Sequence, residues 1–275
     1  MGVAYAATEA AGHSAEHNIG DAILHHVQDT NILDLWPIGY ITLPKIYIFG
    51  INFSITKHLL MMWLASALLI IIFRKAFREP RTVPTGMANL LEALIVFLRD
   101  EVILPNTGEE GKRYLPFFLT VFFFILACNL LGLIPYMATA TSNVTVTAAL
   151  ALLAFVTIQL GGIHKYGLVH HFQNLVPHGI PVWLQPVMIP VEILGQFTKP
   201  FALCIRLFAN MTAGHIVILA LLSMIFMFQS LLIAPVSVAF ALFINLLELL
   251  VAFLQAYIFT MLTALFIGLS IHPQH

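Results

Sequence analysis

The most chemically distinctive residues of this sequence are four ionisable side chains in a long apolar stretch. Between residues 182 and 272 the charged residues are Glu192, Lys199, Arg206 and Glu248. A charge at the centre of a bilayer costs about 2.5–3.5 kcal/mol on insertion scales, so such residues usually line an ion path or form a buried pair. Their types therefore indicate ion translocation, and the structural alternative is a salt bridge between helices.

Three of these four charges share one helix face. Glu192, Lys199 and Arg206 are seven residues apart, and Asn210 continues the same face one turn later. A fixed cation at Arg206 thus has polar groups on either side of it along the helix. This arrangement predicts two separate polar patches, one toward each side of the membrane.

A second polar face lies closer to the C-terminus, where Glu248 and Gln255 are also seven residues apart. In an antiparallel hairpin, the sequence numbers of two residues that face each other add up to nearly the same value along the whole hairpin. This rule pairs Arg206 with Gln255 and His215 with Glu248. Both pairs are centred near residue 231. Because His215 lies nine residues from Arg206, a straight helix points the two in opposite directions. Either the helix curves, or His215 belongs to a different surface.

Arg206 is the residue from which we expect the central function. A guanidinium stays protonated at any accessible pH, so it cannot pass a proton along. It can hold a nearby carboxylate in its charged form, since two unit charges 4 Å apart interact by about 4 kcal/mol at an effective dielectric constant of 20. It can also repel a cation that tries to pass. Both properties suit a gate between two access paths, with a mobile carboxylate supplied by a partner subunit.

The composition places these residues in a membrane protein. Of the 275 residues, 60% are apolar and 9% are charged, against about 25% charged in soluble domains. This excludes an ordinary soluble enzyme and a disordered chain, and the net charge of −1 argues against a nucleic-acid partner. Cys128 and Cys204 lie in apolar runs and indicate neither a disulfide framework nor a zinc site. Residues 1–30 lack the basic and apolar regions of a signal peptide.

The apolar segments predict an all-α integral membrane protein with about five crossings. A spanning helix needs about 20 apolar residues, which residues 58–73, 115–136 and 144–163 approach or meet. After residue 182 we expect two long helices joined near Gln229 and Pro235. At about 40 residues each they are ~60 Å long, so they are either broken or steeply tilted. The chain thus divides into an N-terminal segment (1–57), a region of three spans (58–181) and a long helical hairpin (182–275).

Residues 86–104 predict an amphipathic helix in the cytoplasmic interface rather than a sixth crossing. Asn89, Glu92 and Arg99 fall on one helix face, and basic residues flank both ends. Seven of the twelve Lys and Arg residues lie between residues 74 and 113, which makes this region cytoplasmic by the positive-inside rule. The N-terminus is then outside and the C-terminus cytoplasmic.

Three motifs resemble those of subunit a of the rotary F-type ATP synthase. The resemblance covers roughly residues 115–272. The motifs are Lys199-Pro-Phe-Ala-Leu-Cys-Ile-Arg206-Leu-Phe-Ala-Asn210-Met-Thr-Ala-Gly214-His215, then Glu248-Leu-Leu-Val-Ala-Phe-Leu-Gln255-Ala-Tyr, and Asn129-Leu-Leu-Gly-Leu-Ile-Pro135 in the second span.

The resemblance implies a stator subunit with two offset half-channels that face a rotating ring of c subunits. Arg206 matches the essential arginine of the family, which meets the ring carboxylate and separates the half-channels. The implied outer path contains Asn210, His215, Glu248 and Gln255, and the implied inner path contains Glu192. Accessory candidates are Lys199, Asn129 and Asn245.

The same resemblance implies the setting of the chain. We expect a multi-pass protein of the bacterial inner membrane that contacts peripheral-stalk b subunits as well as the ring and lipid. We expect no cofactor and no metal site. Because the sequence lacks a Walker-type nucleotide loop, we expect no ATP hydrolysis by this chain alone.

The sequence departs from some family members at the path residues. Many members carry Glu where this chain has His215 and His where it has Glu248. The exchange keeps one acid and one imidazole, which suggests that the two cooperate. Some members also carry a second-span carboxylate where this chain has Gly132.

Two other membrane functions fit the composition less well. A haem-binding respiratory subunit needs axial ligands inside its spans, and His215 is the only mid-span histidine. A proton-coupled secondary transporter commonly shows internal repeats, and none relates residues 58–163 to 182–272. Four N-terminal histidines have metal-ligand character, although a solvated terminal segment is the simpler interpretation: His13, His17, His25 and His26.

Overall fold

The computed structural model describes residues 32–35, 39–42, 47–48, 51–52, 56–78, 84–134, 139–173, 185–228 and 234–271. These parts contain seven α-helices: α1 (Lys57–Ala76), α2 (Met87–Phe97), α3 (Leu104–Thr107), α4 (Leu115–Gly132), α5 (Val144–Gln173), α6 (Gln185–Phe228) and α7 (Ala234–Ile271). A π-helical turn (Leu98–Ile103) joins α2 to α3, and 3₁₀ turns precede α4 (Glu109–Tyr114) and α5 (Ala140–Ser142).

Two short β-hairpins precede α1, and the sequence analysis did not predict them. β1 (Ile32–Leu35) pairs antiparallel with β2 (Gly39–Thr42), and β3 (Tyr47–Ile48) pairs with β4 (Ile51–Asn52). They lie within the N-terminal segment, so the predicted all-α class applies to the membrane part. The four N-terminal histidines lie outside the described residues.

Five helical segments in the described part of the chain are long and apolar enough to cross a membrane, which confirms the predicted number. They are Lys57–Ala76, Glu109–Gly132, Val144–Gly167, Pro186–Met224 and Ala234–Ile271. The first is longer than predicted because Arg74 and Lys75 remain helical, where their charges stabilise the C-terminal end of the helix dipole. The third ends at Gly167, whose φ of 76° lies in the left-handed region that favours glycine.

The two long C-terminal helices are also confirmed. α6 has 44 residues and α7 has 38, which corresponds to about 66 Å and 57 Å. Neither fits upright in about 30 Å of hydrocarbon. α6 ends at Phe228 and α7 begins at Ala234, on either side of the predicted turn. Pro235 lies in the first turn of α7, where its missing N–H costs no helical hydrogen bond.

The segment 86–104 is helical, and it is not among the five candidate spans. Leu91 and Leu98 are buried, whereas Asn89 and Glu92 are exposed and Arg99 is half-buried. The predicted two-sided helix is therefore confirmed. Its place in the cytoplasmic interface stays a prediction.

α7 is the helix around which the bundle packs, since it contacts α3, α4, α5 and α6. Its buried side is lined by small residues that allow neighbouring backbones to approach closely: Ala252, Ala256, Thr260, Ala264 and Gly268. A Cβ at Gly268 would overlap the carbonyl oxygen of Asn106. Phe122 of α4 and Phe259 of α7 fill the wider part of the core. This packing fixes the position of α7 along its own axis relative to its neighbours, and with it the positions of Glu248 and Gln255.

Candidate functional site

α6 and α7 bring His215 and Glu248 together, as the constant sum of positions predicts. His215 Nδ1 lies 3.9 Å from Glu248 Oε1, and the glutamate side chain is 4% exposed. Glu248 packs against Gly214, where a Cβ would lie only 2.5 Å from Oε1. Glycine thus leaves the space in which the carboxyl reaches the α6 backbone. The two groups form an ion pair when the imidazole is protonated.

Gln255 receives its hydrogen bond from Asn210, whereas the sequence pairs it with Arg206. Asn210 Nδ2 donates to Gln255 Oε1 over 2.9 Å, and Gln255 is 2% exposed. The sum of positions is 463 for His215 and Glu248 and 465 for Asn210 and Gln255, so the hairpin register places Asn210, not Arg206, opposite Gln255. The predicted Arg206–Gln255 pairing is therefore wrong by about one helical turn.

Arg206 occupies a different side of α6 from His215. Its side chain is exposed, and no hydrogen bond or ion pair joins it to any residue that the structure describes. His215, by contrast, contacts α7 and the loop before α5. Of the two interpretations left open by the sequence, the structure supports the one in which His215 belongs to a separate surface.

The helix face around Arg206 is lined by small, exposed residues. Ala202, Ala209 and Ala213 lie on this face and are all exposed. Small side chains let a second helix approach closely. A lone guanidinium on such a face is poorly suited to lipid contact, because an unpaired charge in hydrocarbon is costly. The face therefore fits a partner helix that carries an opposite charge.

The loop before α5 adds polar groups that sequence reasoning missed. His58 Nδ1 donates to the Thr139 carbonyl over 3.0 Å, and the Thr139 hydroxyl contacts His215 Nε2. Ser142 Oγ donates to the same carbonyl over 2.8 Å, while Thr212 Oγ1 donates to the Ser142 carbonyl over 3.4 Å. The sequence signal was the polar run 139–143, which predicts a turn but not that the turn folds back onto α6.

Asn129, an accessory candidate, connects this loop to α7. It is fully buried, accepts a hydrogen bond from Thr141 Oγ1 over 2.6 Å and donates to the Ala252 carbonyl over 3.2 Å. Asn129 thus braces α7 one turn before Gln255. Asn245 is half-buried and makes no hydrogen bond with a described residue, so the structure does not bring it into this network.

Three buried polar atoms in this region have no hydrogen-bond partner among the described residues: Glu248 Oε1, Glu248 Oε2 and Gln255 Nε2. Buried polar groups in proteins are nearly always hydrogen-bonded, so exceptions mark places with a special role. No donor among the described residues hydrogen-bonds the Glu248 carboxyl. The group is therefore suited to taking up and releasing a proton.

A smaller polar patch lies on the other side of Arg206 along α6. Gln159 Nε2 donates to Gln196 Oε1 over 2.5 Å, and Lys199 Nζ lies 5.0 Å from the centre of the Phe266 ring. Lys199, Gln159 and Gln196 are all half-buried. The Glu192 side chain lies outside the described part of the structure, so its place on the inner path stays a prediction. Polar side chains thus lie on both sides of Arg206 along α6, and their assignment to two half-channels stays a prediction.

The described residues contain no group of three His, Cys, Asp or Glu side chains that could hold a metal ion. Cys128 and Cys204 are both buried and free. At the other end of the bundle, His164 is exposed and contacts Arg113 over 2.6 Å. The groups near Arg206 along α6 include an imidazole and a carboxyl, which can exchange protons.

The comparisons with known proteins identify the family. The family described as ATP synthase A chain matches residues 59–268. This range contains most of α1 and nearly all of α7, so it includes the five candidate spans almost completely. The chain belongs to the ATP synthase A chain family.

Curated members of the ATP synthase A chain family are similar over most of the chain. The ATP synthase subunit a of Chloroherpeton thalassium is 52% identical over 93% of this chain and 78% of its own length. ATP synthase subunit a 2 of Chlorobaculum tepidum is 50% identical over 98% and 78%. The ATP synthase subunit a of Myxococcus xanthus is 55% identical over 82% and 75%.

Proposed function

We propose that this chain is the stator subunit of the membrane sector of a rotary ATP synthase. It provides two half-channels through which protons reach and leave carboxylates on a ring of c subunits. The observation that carries this proposal is Arg206, an exposed guanidinium without a described partner, set on a face of small residues between two polar patches. Family membership supports the same function.

The outer half-channel consists of the buried network between α6, α7 and the loop before α5. A proton that enters near His215 meets the Glu248 carboxyl, which no described hydrogen bond fixes in one charge state. About two turns further along α7, Gln255 accepts a hydrogen bond from Asn210 of α6, and the two amides form a pair. The polar groups thus continue from the loop toward the depth of Arg206. The haem and transporter alternatives gain no support from this arrangement.

Arg206 acts by its permanent charge. A ring carboxylate that reaches it is held ionised, because the attraction is about 4 kcal/mol at 4 Å and an effective dielectric constant of 20. A proton cannot pass from the outer to the inner patch through the guanidinium itself, since it does not deprotonate. Protons must therefore travel on the ring, and their flow is coupled to rotation.

The inner half-channel contains Lys199, Gln196 and Gln159, with Glu192 closest to the cytoplasm. This patch is only half-buried by α5, α6 and α7, and the partner ring completes it. Lys199 beside Phe266 sets a positive potential near the exit, which discourages a proton from returning.

The partners and location follow from the same assignment. The α6 face around Arg206 meets the c ring, and peripheral-stalk b subunits hold the chain in place. The chain crosses the bacterial inner membrane with its N-terminus outside and its C-terminus in the cytoplasm, as the basic region between residues 74 and 113 indicates. The subunit does not bind nucleotide, and ATP is made elsewhere in the complex.

Disulfide trapping tests this proposal. Ala202→Cys and Ala209→Cys place thiols one turn on either side of Arg206, each to be combined with a cysteine beside the c-subunit carboxylate. We expect cross-linking in the assembled complex from both positions. Val156→Cys, on an exposed part of α5, serves as the control that should not cross-link. Failure of both α6 cysteines to react would contradict the proposed interface.

A further inference from the structure

The first spanning helix contributes a buried histidine to the outer network. We propose that His58 is a positioning residue of the outer half-channel, which holds Thr139 so that its hydroxyl fixes the orientation of His215. The inference rests on the proposed function, because it assigns a further residue to the same path. It connects α1, which carries no other part of that path, to proton entry.

His58 holds one end of Thr139. The imidazole is 2% exposed, and its Nδ1 lies 3.0 Å from the Thr139 carbonyl oxygen. A carbonyl oxygen can only accept, so Nδ1 carries the proton. The same oxygen also accepts from Ser142 Oγ over 2.8 Å and from the Ser142 backbone N–H over 3.1 Å. Three donors therefore converge on one carbonyl and fix the loop at Thr139.

The other end of Thr139 reaches His215. Its hydroxyl contacts Nε2, while Nδ1 of the same imidazole faces Glu248 Oε1 at 3.9 Å. A hydroxyl that donates to Nε2 leaves the single proton of a neutral imidazole on Nδ1, toward the carboxyl. When the Thr139 hydroxyl donates in this contact, it selects the tautomer of His215 that can exchange a proton with Glu248.

Gly132 makes room for this contact. A Cβ at position 132 would overlap Oγ1 and Cβ of Thr139. Where this chain departs from family members that carry a second-span carboxylate, the Thr139 hydroxyl fills the space instead. The glycine at position 132 is therefore what allows Thr139 to lie close enough to contact His215.

His58 acts through Thr139 rather than as a relay. The carbonyl that it contacts and the hydroxyl that reaches His215 are separate groups, so these two contacts do not pass a proton from one imidazole to the other. The groups around His215 are Glu248 from α7, Thr139 from the loop and, behind it, His58 with the buried Lys57 from α1. Arg206 is on the same helix but on another side, and α5 has no charged residue between positions 144 and 163.

The test uses two amide substitutions in the assembled complex. An Asn side chain places its NH₂ near the position of Nδ1, whereas Gln places it near Nε2. Proton flux into vesicles is measured under an imposed potential as the pH on the outer side is varied. We expect His58→Asn to keep the parental profile. We expect His58→Gln to displace its midpoint by about half to one pH unit, as one lost hydrogen bond should.

Two further variants test whether His58 acts by positioning Thr139 or only by filling space in the core. Thr139→Val should displace the profile as His58→Gln does, and the double variant should add nothing to Thr139→Val. Met61→Ala removes a buried α1 side chain of the apolar cluster one turn away, and it should leave the midpoint unchanged.

The proposal is overturned if Asn and Gln behave alike, or if Met61→Ala shifts the profile as much as His58→Gln. Failure of both His58 variants to assemble, while Met61→Ala assembles, would overturn it in favour of a purely structural role. None of these results affects the proposed function, which the cross-links and Arg206 variants test separately.

Discussion

The two polar patches on either side of Arg206 differ in how they are built. In the outer patch, Glu248 and Gln255 are 5% and 2% exposed, and groups from α1, α4, α6, α7 and the loop before α5 converge there. In the inner patch, Lys199, Gln196 and Gln159 are only half-buried; Gln159 donates to Gln196, and Lys199 lies beside the Phe266 ring. The outer patch is thus more enclosed by this chain than the inner patch.

This difference suggests that the two half-channels depend on the partner to different degrees. An enclosed path can set its own proton affinity, because its neighbouring groups are fixed by this chain. An open path depends on the partner for its walls and its counter-charge. Substitutions in the outer patch should therefore lower the stability of the isolated chain. Substitutions in the inner patch should have an effect only in the assembled complex.

The largest effect is expected at Glu248. Glu248→Gln keeps the shape of the side chain but removes its titration, and proton flux should fall about 100-fold, as for loss of a positioned acid–base group. Proton pumping by vesicles measures this directly. Glu92→Gln, on the exposed side of α2, is the matched control and should leave flux unchanged. Native flux in Glu248→Gln would exclude Glu248 from the path.

Two glycines on α6, one near each patch, allow the packing of the two patches to be compared through the stability of alanine variants. At Gly214 a Cβ would meet Glu248 Oε1 at 2.5 Å, whereas at Gly195 nothing lies within 4 Å. Gly214→Ala should therefore cost about 1–3 kcal/mol through overpacking. Gly195→Ala should be neutral or stabilising in the isolated chain, because Ala favours helix. Thermal unfolding in detergent measures both, and equal effects would contradict the contrast between the patches.

Asn129 offers a second stability test. Asn129→Ala leaves the Thr141 hydroxyl and the Ala252 carbonyl without this buried partner, so unfolding should become easier by about 1–3 kcal/mol. Gln159→Ala, in the half-buried inner pair, should cost less than about 1 kcal/mol. If the inner substitution were the more damaging one in the isolated chain, the enclosed outer network would not be the more rigid of the two.

The smallest effect concerns cooperation between His215 and Glu248. Because the two groups face each other at 3.9 Å, each single alanine variant should already remove most of their joint contribution. The double variant His215→Ala/Glu248→Ala should lose less flux than the product of the singles, with a coupling of about 1 kcal/mol. Strictly additive losses would indicate that the residues act independently.

The sequence predicted the features that depend on local pattern. The number of spans, the break between Phe228 and Ala234 and the pairing of His215 with Glu248 all follow from apolar length, breakers and helical spacing. It did not predict the roles of His58 or Thr139. Their contacts depend on a loop that folds back between helices far apart in the chain, and short polar side chains carry no periodic signal for such docking.

The partner of Gln255 shows a different limit. Helical spacing predicts the side of each helix on which a residue lies, but it fixes the register of two long helices only to within about one turn. The register within that turn depends on how the helices pack, and small residues such as Ala252 and Ala256 permit close packing of α7. Asn210, rather than Arg206, consequently reaches Gln255, and Arg206 is left on the exposed face.

The central claim is that the charge of Arg206 forces protons to travel on a partner. The most direct test is ATP synthesis by vesicles under an imposed proton gradient, compared between the parent, Arg206→Gln and Arg113→Gln. Arg113 lies beside His164 in the 3₁₀ turn before α4. The account predicts that Arg206→Gln reduces synthesis to background while Arg113→Gln remains near the parental rate. Native coupling efficiency in Arg206→Gln would contradict it.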